Sequence, residues 1–237
     1  MRLSVPSYVI PGTYAENLRW LEANTDQRQV ELLFFMYDDD VEALFARELP
    51  ELTDARRQFS FTAHLPDPLL PGQRSLVERL DGLAESFVVH PPRDRSGIPA
   101  FTRLLDEWRA TFGQRRFFLE NTRLADFEPA DAALAESAYG PPPLCADLGH
   151  LAMEGRDPAV WTLSRADRVA EIHAHGWNGR NDHVPFGPNE PWLAGLADFL
   201  KGFPGVIELE LFSWHELEPC LNLMRGLDSS PEKGSHP

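Results

Sequence analysis

Short apolar runs recur along the chain at intervals of about 25 to 35 residues, each followed by a polar stretch of helical period. The runs Arg2–Pro6, Val30–Phe35, Phe59–His64, Ser86–His90, Arg116–Glu120, Leu144–Asp147, Val169–His175 and Gly205–Leu211 read as buried strands. Between them, helical patterning predicts helices over Tyr14–Asn24, Asp38–Leu49, Ala100–Thr111, Asp131–Ser137, part of Pro158–Arg168, Pro191–Leu200 and Trp214–Leu223. The triplet Asp38, Asp39 and Asp40 suits a helix N-terminus, where carboxylates meet free backbone N–H groups. Pro191 suits a first helical position.

Strands that alternate with helices imply right-handed parallel crossovers. Eight such units fit a compact (β/α)8 TIM barrel. A doubly wound open sheet is the alternative, disfavoured because no Gly-rich phosphate loop follows the first strand. Residues 1–227 are expected to form a single domain, and the polar residues 228–237 a disordered tail.

Several of the strands stop on ionisable side chains. His64 and His90 each precede a proline-containing turn, and proline marks where ladder pairing ends. Glu120, Asp147 and His173 or His175 close later strands, and Glu208 and Glu210 share one face of the last by the period of two. A lone strand-end histidine is more often structural than a ligand. Six or more acid and imidazole groups on successive strand ends of a barrel, where active sites lie, point instead to metal. Imidazole and carboxylate suit zinc, manganese or iron, and Glu120 is placed to bridge two ions. Glu31 interrupts an apolar strand, so it points either into the barrel or out at an edge.

The 237 residues are 43% hydrophobic, enough for a sizeable core. No apolar run is long enough to span a membrane, and the start lacks a secretory apolar region. The two cysteines make no disulfide framework, so the cytoplasm is the expected compartment. The formal net charge of −15 opposes nucleic acid, which is bound mostly through Lys and Arg. A small-molecule substrate is expected.

The segments Leu-Glu120-Asn-Thr, Cys-Ala-Asp147-Leu-Gly-His150, Ile-His173-Ala-His175 and Glu-Leu-Glu210 resemble the last four strands of the xylose-isomerase-like barrels. That superfamily holds sugar isomerases, epimerases and apurinic-site endonucleases, and the resemblance spans Leu3 to Leu223. The endonuclease pattern implies two or three divalent ions. His64, His90 and Glu120 would hold one, Glu120, Asp147, His173 and Glu210 a second, and His150 with His183 a third. Asn181 stands where that pattern has Asp, with Asp182 adjacent.

A narrower resemblance, to the cobamide-remodelling phosphodiesterases, rests on Ser-Tyr-Val-Ile-Pro11, Val-Glu31-Leu-Leu-Phe-Phe, Ala-His64-Leu-Pro, Asp-Leu-Gly-His150-Leu, His-Ala-His175-Gly, Gly-Arg-Asn-Asp182-His183 and Leu-Glu210-Leu-Phe-Ser. It implies hydrolysis of the nucleotide loop of vitamin B12-type corrinoids. The ions would polarise the phosphodiester and activate water, with Glu120, His150, His175 and His183 as catalytic candidates. Glu31, Trp177, Asp182, Phe186 and Trp214 would line the substrate. Two other readings stay open. One is a metal-dependent isomerase or epimerase of sugars or sugar phosphates, using one ion. The other is a barrel that binds a corrinoid or sugar without turning it over.

Overall fold

The computed structural model describes residues 1–228, and its eight strands close into one parallel barrel in sequence order. The strands are β1 (Arg2–Pro6), β2 (Gln29–Leu33), β3 (Ser60–His64), β4 (Ala84–Val89), β5 (Phe117–Glu120), β6 (Leu144–Asp147), β7 (Val169–His173) and β8 (Val206–Glu208). β8 returns to β1 through Arg2 opposite Val206 and Ser4 opposite Glu208, which closes the ring. The predicted (β/α)8 architecture is therefore the observed one, and the open-sheet alternative is excluded.

Helices α1 (Tyr14–Asn24), α2 (Asp39–Ala55), α3 (Arg74–Leu80), α4 (Ile98–Phe112), α5 (Leu124–Ala135), α6 (Leu148–Met153), α7 (Pro158–Leu163), α8 (Pro191–Gly202) and α9 (Trp214–Asp228) form the outer layer. Asp38 caps α2 through the Val41 amide at 2.9 Å, so the acidic triplet is an N-terminus. α2 continues past the predicted stop, accommodating Pro50 on an exposed face. α3 and α6 were not expected from periodicity. Each is under two turns or close to it, too short for a 3.6-residue repeat to register. α5 begins before the expected Asp131. The tail expected from Asp228 lies outside the described residues, except that Asp228 itself ends α9. No helix among the described residues is long and apolar enough to cross a membrane.

Strand alternation sorts the side chains. Val30, Leu32, Phe61, Ala63, Phe87, Leu119, Ala146, Ile172 and Ile207 belong to the apolar layer between strands and helices. Their neighbours face the barrel axis. There Val88, Phe118 and Cys145 form a separate small apolar cluster. Other axial residues, among them Ser4, Glu31, Thr62, Glu171 and Glu208, are polar and fully buried. This barrel is filled on one side with apolar side chains and on the other with acids.

Candidate metal centre

The C-terminal rim brings together side chains that the sequence spreads over nearly 150 positions. His64 ends β3, His90 follows β4, Glu120 ends β5 and Asp147 ends β6, while Glu210 lies two residues beyond β8. His64 Nε2 and His90 Nε2 meet Glu120 Oε2 at 3.0 and 3.1 Å. His150 Nδ1 approaches Asp147 Oδ2 at 3.0 Å and Glu120 Oε1 at 3.4 Å. His173 Nδ1 lies 3.4 Å from Glu210 Oε2 and 3.7 Å from Glu120 Oε2. His183 Nε2 lies 3.3 Å from the same Glu210 oxygen. The groups His64–Glu120–His173, Glu120–Asp147–His150, Asp147–His173–Glu210 and His150–His175–His183 each converge within 4.8 Å.

The backbone explains this convergence. Asp147 ends β6 and caps α6, accepting the His150 amide at 2.7 Å, which sets His150 on the first helical turn over the rim. Asn121 brackets Asp147 by exchanging two hydrogen bonds of 2.9 Å with its backbone. His183 is delivered by the loop after β7, pinned by the bridge between Gly176 and Val184, and it adopts a positive φ of 49°.

The two ambiguities left by periodicity are resolved in position. His173, rather than His175, stands among Glu120, Asp147 and Glu210. Glu210 reaches the rim, while Glu208 lies deeper, opposite Ser4. His175 is fully buried and its Nε2 faces Asp147 Oδ1 at 3.2 Å. Its Nδ1 accepts the His183 amide at 3.0 Å, leaving the Nε2 proton for Asp147. It holds Asp147 and does not open onto the cleft.

Buried carboxylates and imidazoles reinforce one another's charge. Burial alone would raise Glu120, but the charge of His90 and contacts from His150, His64 and His90 hold it well below the usual carboxylate range. Against their own burial, the charge of Glu120 lifts His90 to about 9 and that of Asp147 lifts His150 to about 10. His173 Nδ1 and Nε2, His150 Nδ1 and Glu210 Oε2 have no hydrogen-bond partner despite their burial. Orphaned buried polar atoms of this kind are costly unless something else satisfies them. Nitrogen and oxygen ligands in this arrangement fit divalent zinc or manganese.

An ion held by His90 and His150 would have to displace the protons that their raised pKa values favour at neutral pH. Affinity is therefore expected to rise with pH as the solution approaches about 9 and then about 10, with proton release on binding. Calorimetric zinc titrations in buffers of different ionisation enthalpy measure that release. Uptake without released protons between pH 6 and 8 would contradict it.

Beneath the rim lies a layer of acids that only partly showed in the sequence. Glu31 points inward, as one of its two expected orientations had it, and its Oε2 lies 3.5 Å from His173 Nε2. It is fully buried and is not among the residues lining the cleft above the rim. Glu171 and Glu208 sit beside it. Burial first, and the Glu31 charge second, push Glu171 up to about 8, and the same causes hold Glu208 well above the usual range. One side of the His173 ring thus faces the rim carboxylates and the other faces Glu31. A carboxylate behind a ligating imidazole fixes its tautomer and raises its basicity. Replacing Glu31 with Gln is expected to weaken metal binding about 10- to 100-fold. Competition against a chromophoric chelator reads this directly, and an unchanged affinity would sink the role.

The cleft above the rim has a volume of about 530 Å³, and Arg93, Arg123, His90, His150, His183 and Phe212 are among its walls. The expected aromatic lining is elsewhere. Phe186 is buried against Trp192 at 5.0 Å and Trp214 packs edge-on to Trp20 at 5.3 Å. Trp177 is half-buried outside the cleft, and Asp182 is exposed, 3.5 Å from His183 Nδ1. Aromatics after β7 and β8 suit a substrate wall in sequence, but the loop after β7 turns Phe186 onto α8, and Trp214, at the start of α9, packs on α1. The wall residues Phe35 and Phe212 were missed, because each directly follows or adjoins an apolar strand and reads as core.

No family model matches the sequence, and no curated relative aligns with it. Solved structures do resemble it. The probable 3-DHS dehydratase AsbF of Bacillus anthracis superposes with a TM-score of 0.73 at 12% identity, over 98% of this chain and 100% of that one. The 3-keto-D-glucoside 4-epimerase YcjR of E. coli gives 0.65 at 15% identity, covering 95% and 99%. An AP endonuclease, family 2, of Brucella melitensis gives 0.63 at 15% identity, covering 95% and 98%. Sugar isomerases and epimerases recur among the matches. At these identities the likeness establishes the (β/α)8 barrel fold alone, and activity has to be argued from the site.

Proposed function

We propose that this protein is a divalent-metal-dependent phosphodiesterase acting on a small molecule, with the nucleotide loop of cobamides as its substrate. The observation that carries the reading is the position of Glu120 between two sets of donors. His64 and His90 meet one of its oxygens and His173 lies 3.7 Å from the same oxygen, His150 meets the other, and Asp147, His173 and Glu210 form an adjoining group. A carboxylate shared in this way is what a pair of ions about 3.5 to 4 Å apart requires. His64, His90 and Glu120 would hold one ion and Glu120, Asp147, His173 and Glu210 another, with His150 and His183 available for a third. Bound ions of this kind polarise phosphoryl oxygens and lower the pKa of water.

The chain's own groups supply the rest. Arg93 and Arg123 stand in the cleft wall, each paired with an acid, Asp67 and Asp126, that orients its guanidinium. Planar guanidinium groups suit phosphate, whether of a phosphodiester or of a sugar phosphate. His150 and His183 are partly exposed to the cleft, so either can hold or release a proton at the leaving oxygen. The cobamide assignment is supported by the sequence resemblance and agrees with the chain's acidic surface, since a small phosphodiester requires no basic groove.

A second reading, a sugar or sugar-phosphate isomerase or epimerase, is favoured by the names of several of the structures that share the fold. There, Glu120, Asp147, His173 and Glu210 would hold a single ion, and His64 and His90 would serve no metal. Incubation of zinc- or manganese-loaded protein with adenosylcobalamin, followed by chromatography, tests the first reading. Cleavage of the nucleotide loop is expected. Epimerisation of a ketose panel with the corrinoid left intact would replace it, and intact corrinoid retained on the protein would favour a binding barrel.

A further inference from the structure

Beside the metal cleft lies a second hollow of about 480 Å³ between the β1 and β2 ends and α2, lined by Tyr8, Tyr14, Leu33, Met36, Val41 and Leu44. Phe35 and Phe212 wall both cavities. Their rings meet edge to face at 6.1 Å. On the metal side, Phe35 contacts His64 at 4.6 Å and Phe212 contacts His183 at 5.2 Å between centroids. The partition between the two hollows is thus one layer of phenyl rings resting on candidate ligands.

The second hollow is apolar in a specific sense. Three polar groups among its lining residues are committed to backbone. Ser7 Oγ accepts the Leu33 amide at 3.0 Å, Thr13 Oγ1 accepts the Glu16 amide at 3.3 Å, and Tyr14 donates to the Leu33 carbonyl at 2.9 Å. A polyhydroxylated ligand would lose water there and find few directed partners in return. Meanwhile Met36 is 80% exposed, Tyr8 47% and Phe35 37%, a cluster of large apolar side chains left in water at one edge of a reactive centre. Clustered exposure of this kind marks a binding surface more than solitary exposure does.

We propose that this hollow is a subsite for the planar, apolar part of a phosphodiester substrate whose phosphate lies at the metal centre. The inference rests on the hydrolytic reading for what happens across the partition. It adds that selectivity comes from apolar contact with Met36, Tyr8 and the Phe35–Phe212 wall, and that hydroxyl-rich ligands are excluded from this side.

The test uses metal-loaded protein and two diesters with the same charge and leaving group, methyl 4-nitrophenyl phosphate and naphthyl 4-nitrophenyl phosphate. Their ratio of kcat/KM cancels any effect of a new charge. Met36→Glu places a carboxylate on the most exposed wall residue, where folding is least at risk. It is expected to lower the naphthyl-to-methyl ratio by about fivefold or more, the loss of a substantial apolar contact. An unchanged ratio would overturn the subsite. If neither diester is cleaved, the hydrolytic reading fails by itself and binding decides the subsite. Nile red, an uncharged apolar probe, should then bind the wild type at one site and bind Met36→Glu or Tyr8→Ser at least about fivefold more weakly. Equal titrations, or a concentration-dependent dimer lost in Met36→Glu, would instead assign the surface to general stickiness or to a second copy of the chain.

Discussion

Replacing Glu120 with Gln is expected to reduce turnover by roughly 10²- to 10⁴-fold while leaving the fold intact. The side chain is 1% exposed and is met by His64, His90 and His150, so its charge is the common partner of three imidazoles. Breaking a buried charge arrangement from one side costs about 3–5 kcal/mol. That cost falls on stability, while the turnover range above corresponds to two to four tenfold steps of about 1.4 kcal/mol each in the activation barrier, expected when the carboxylate shared by the donors loses its charge. Gln keeps the volume and can still accept one hydrogen bond, so the circular dichroism spectrum should be native. The diagnostic change is in His90. Its pKa of about 9 owes its rise to Glu120 first and Asp67 second, against burial, and it should fall in the variant by NMR titration. Unaltered turnover, or loss of turnover with the His90 titration unmoved, would separate Glu120 from the chemistry assigned to it.

The second large effect comes from a residue with no side chain. A Cβ added at Gly149 would lie 2.0 Å from His175 Cε1, 2.2 Å from Nδ1 and 2.5 Å from Nε2, separations no packed atoms tolerate. The ring has nowhere to go. It is stacked on His183 with centroids 4.1 Å apart and held to Asp147 by Nε2 at 3.2 Å. Gly149→Ala must therefore displace His175, take the donor from Asp147 and unseat His183. Overpacking costs about 1–3 kcal/mol. For a chain of this size, a Tm loss of roughly 2–12 °C follows. Loss of a residue that orients a metal ligand adds about 10- to 100-fold in metal affinity or activity. The double variant Gly149→Ala/His175→Ala should regain most of the Tm without regaining activity, because it removes the clash and not the missing support. Equal Tm values for Gly149→Ala and the wild type would refute the packing argument.

These two positions show what the sequence could and could not disclose. Glu120 was legible because a carboxylate at the end of an apolar run has few explanations in a barrel, and the same holds for His64, His90 and Asp147. Strand ends were legible where a proline turn follows or a polar residue ends the run, as at His64, Glu120 and Asp147, whereas β2, β7 and β8 end at Leu33, His173 and Glu208, two or three residues before their apolar runs do. Gly149 was not, since its constraint is the His175 ring, 26 positions along the chain and brought in only by the parallel pairing of β6 with β7. The acid layer could have been found further than it was. Glu171 lies two residues before His173, as Glu208 lies two before Glu210, and the period of two puts each pair on one face. Glu31 left two orientations open because one acid in an apolar strand fits either. Trp177, Phe186 and Trp214 misled for a physical reason. Their positions on loops or a helix start suited a substrate, but whether such an aromatic faces ligand or core depends on tertiary closure, and here α8 and α1 cover Phe186 and Trp214.

Metal counting by elemental analysis on protein reconstituted with zinc and freed of excess ion tests the shared-carboxylate centre most directly. Two or more equivalents per chain in the wild type, falling by at least one in Glu120→Gln, is the expected result. A single equivalent would leave Glu120 bridging nothing and move the protein to one-ion isomerase chemistry, and no bound metal at all would contradict the centre outright.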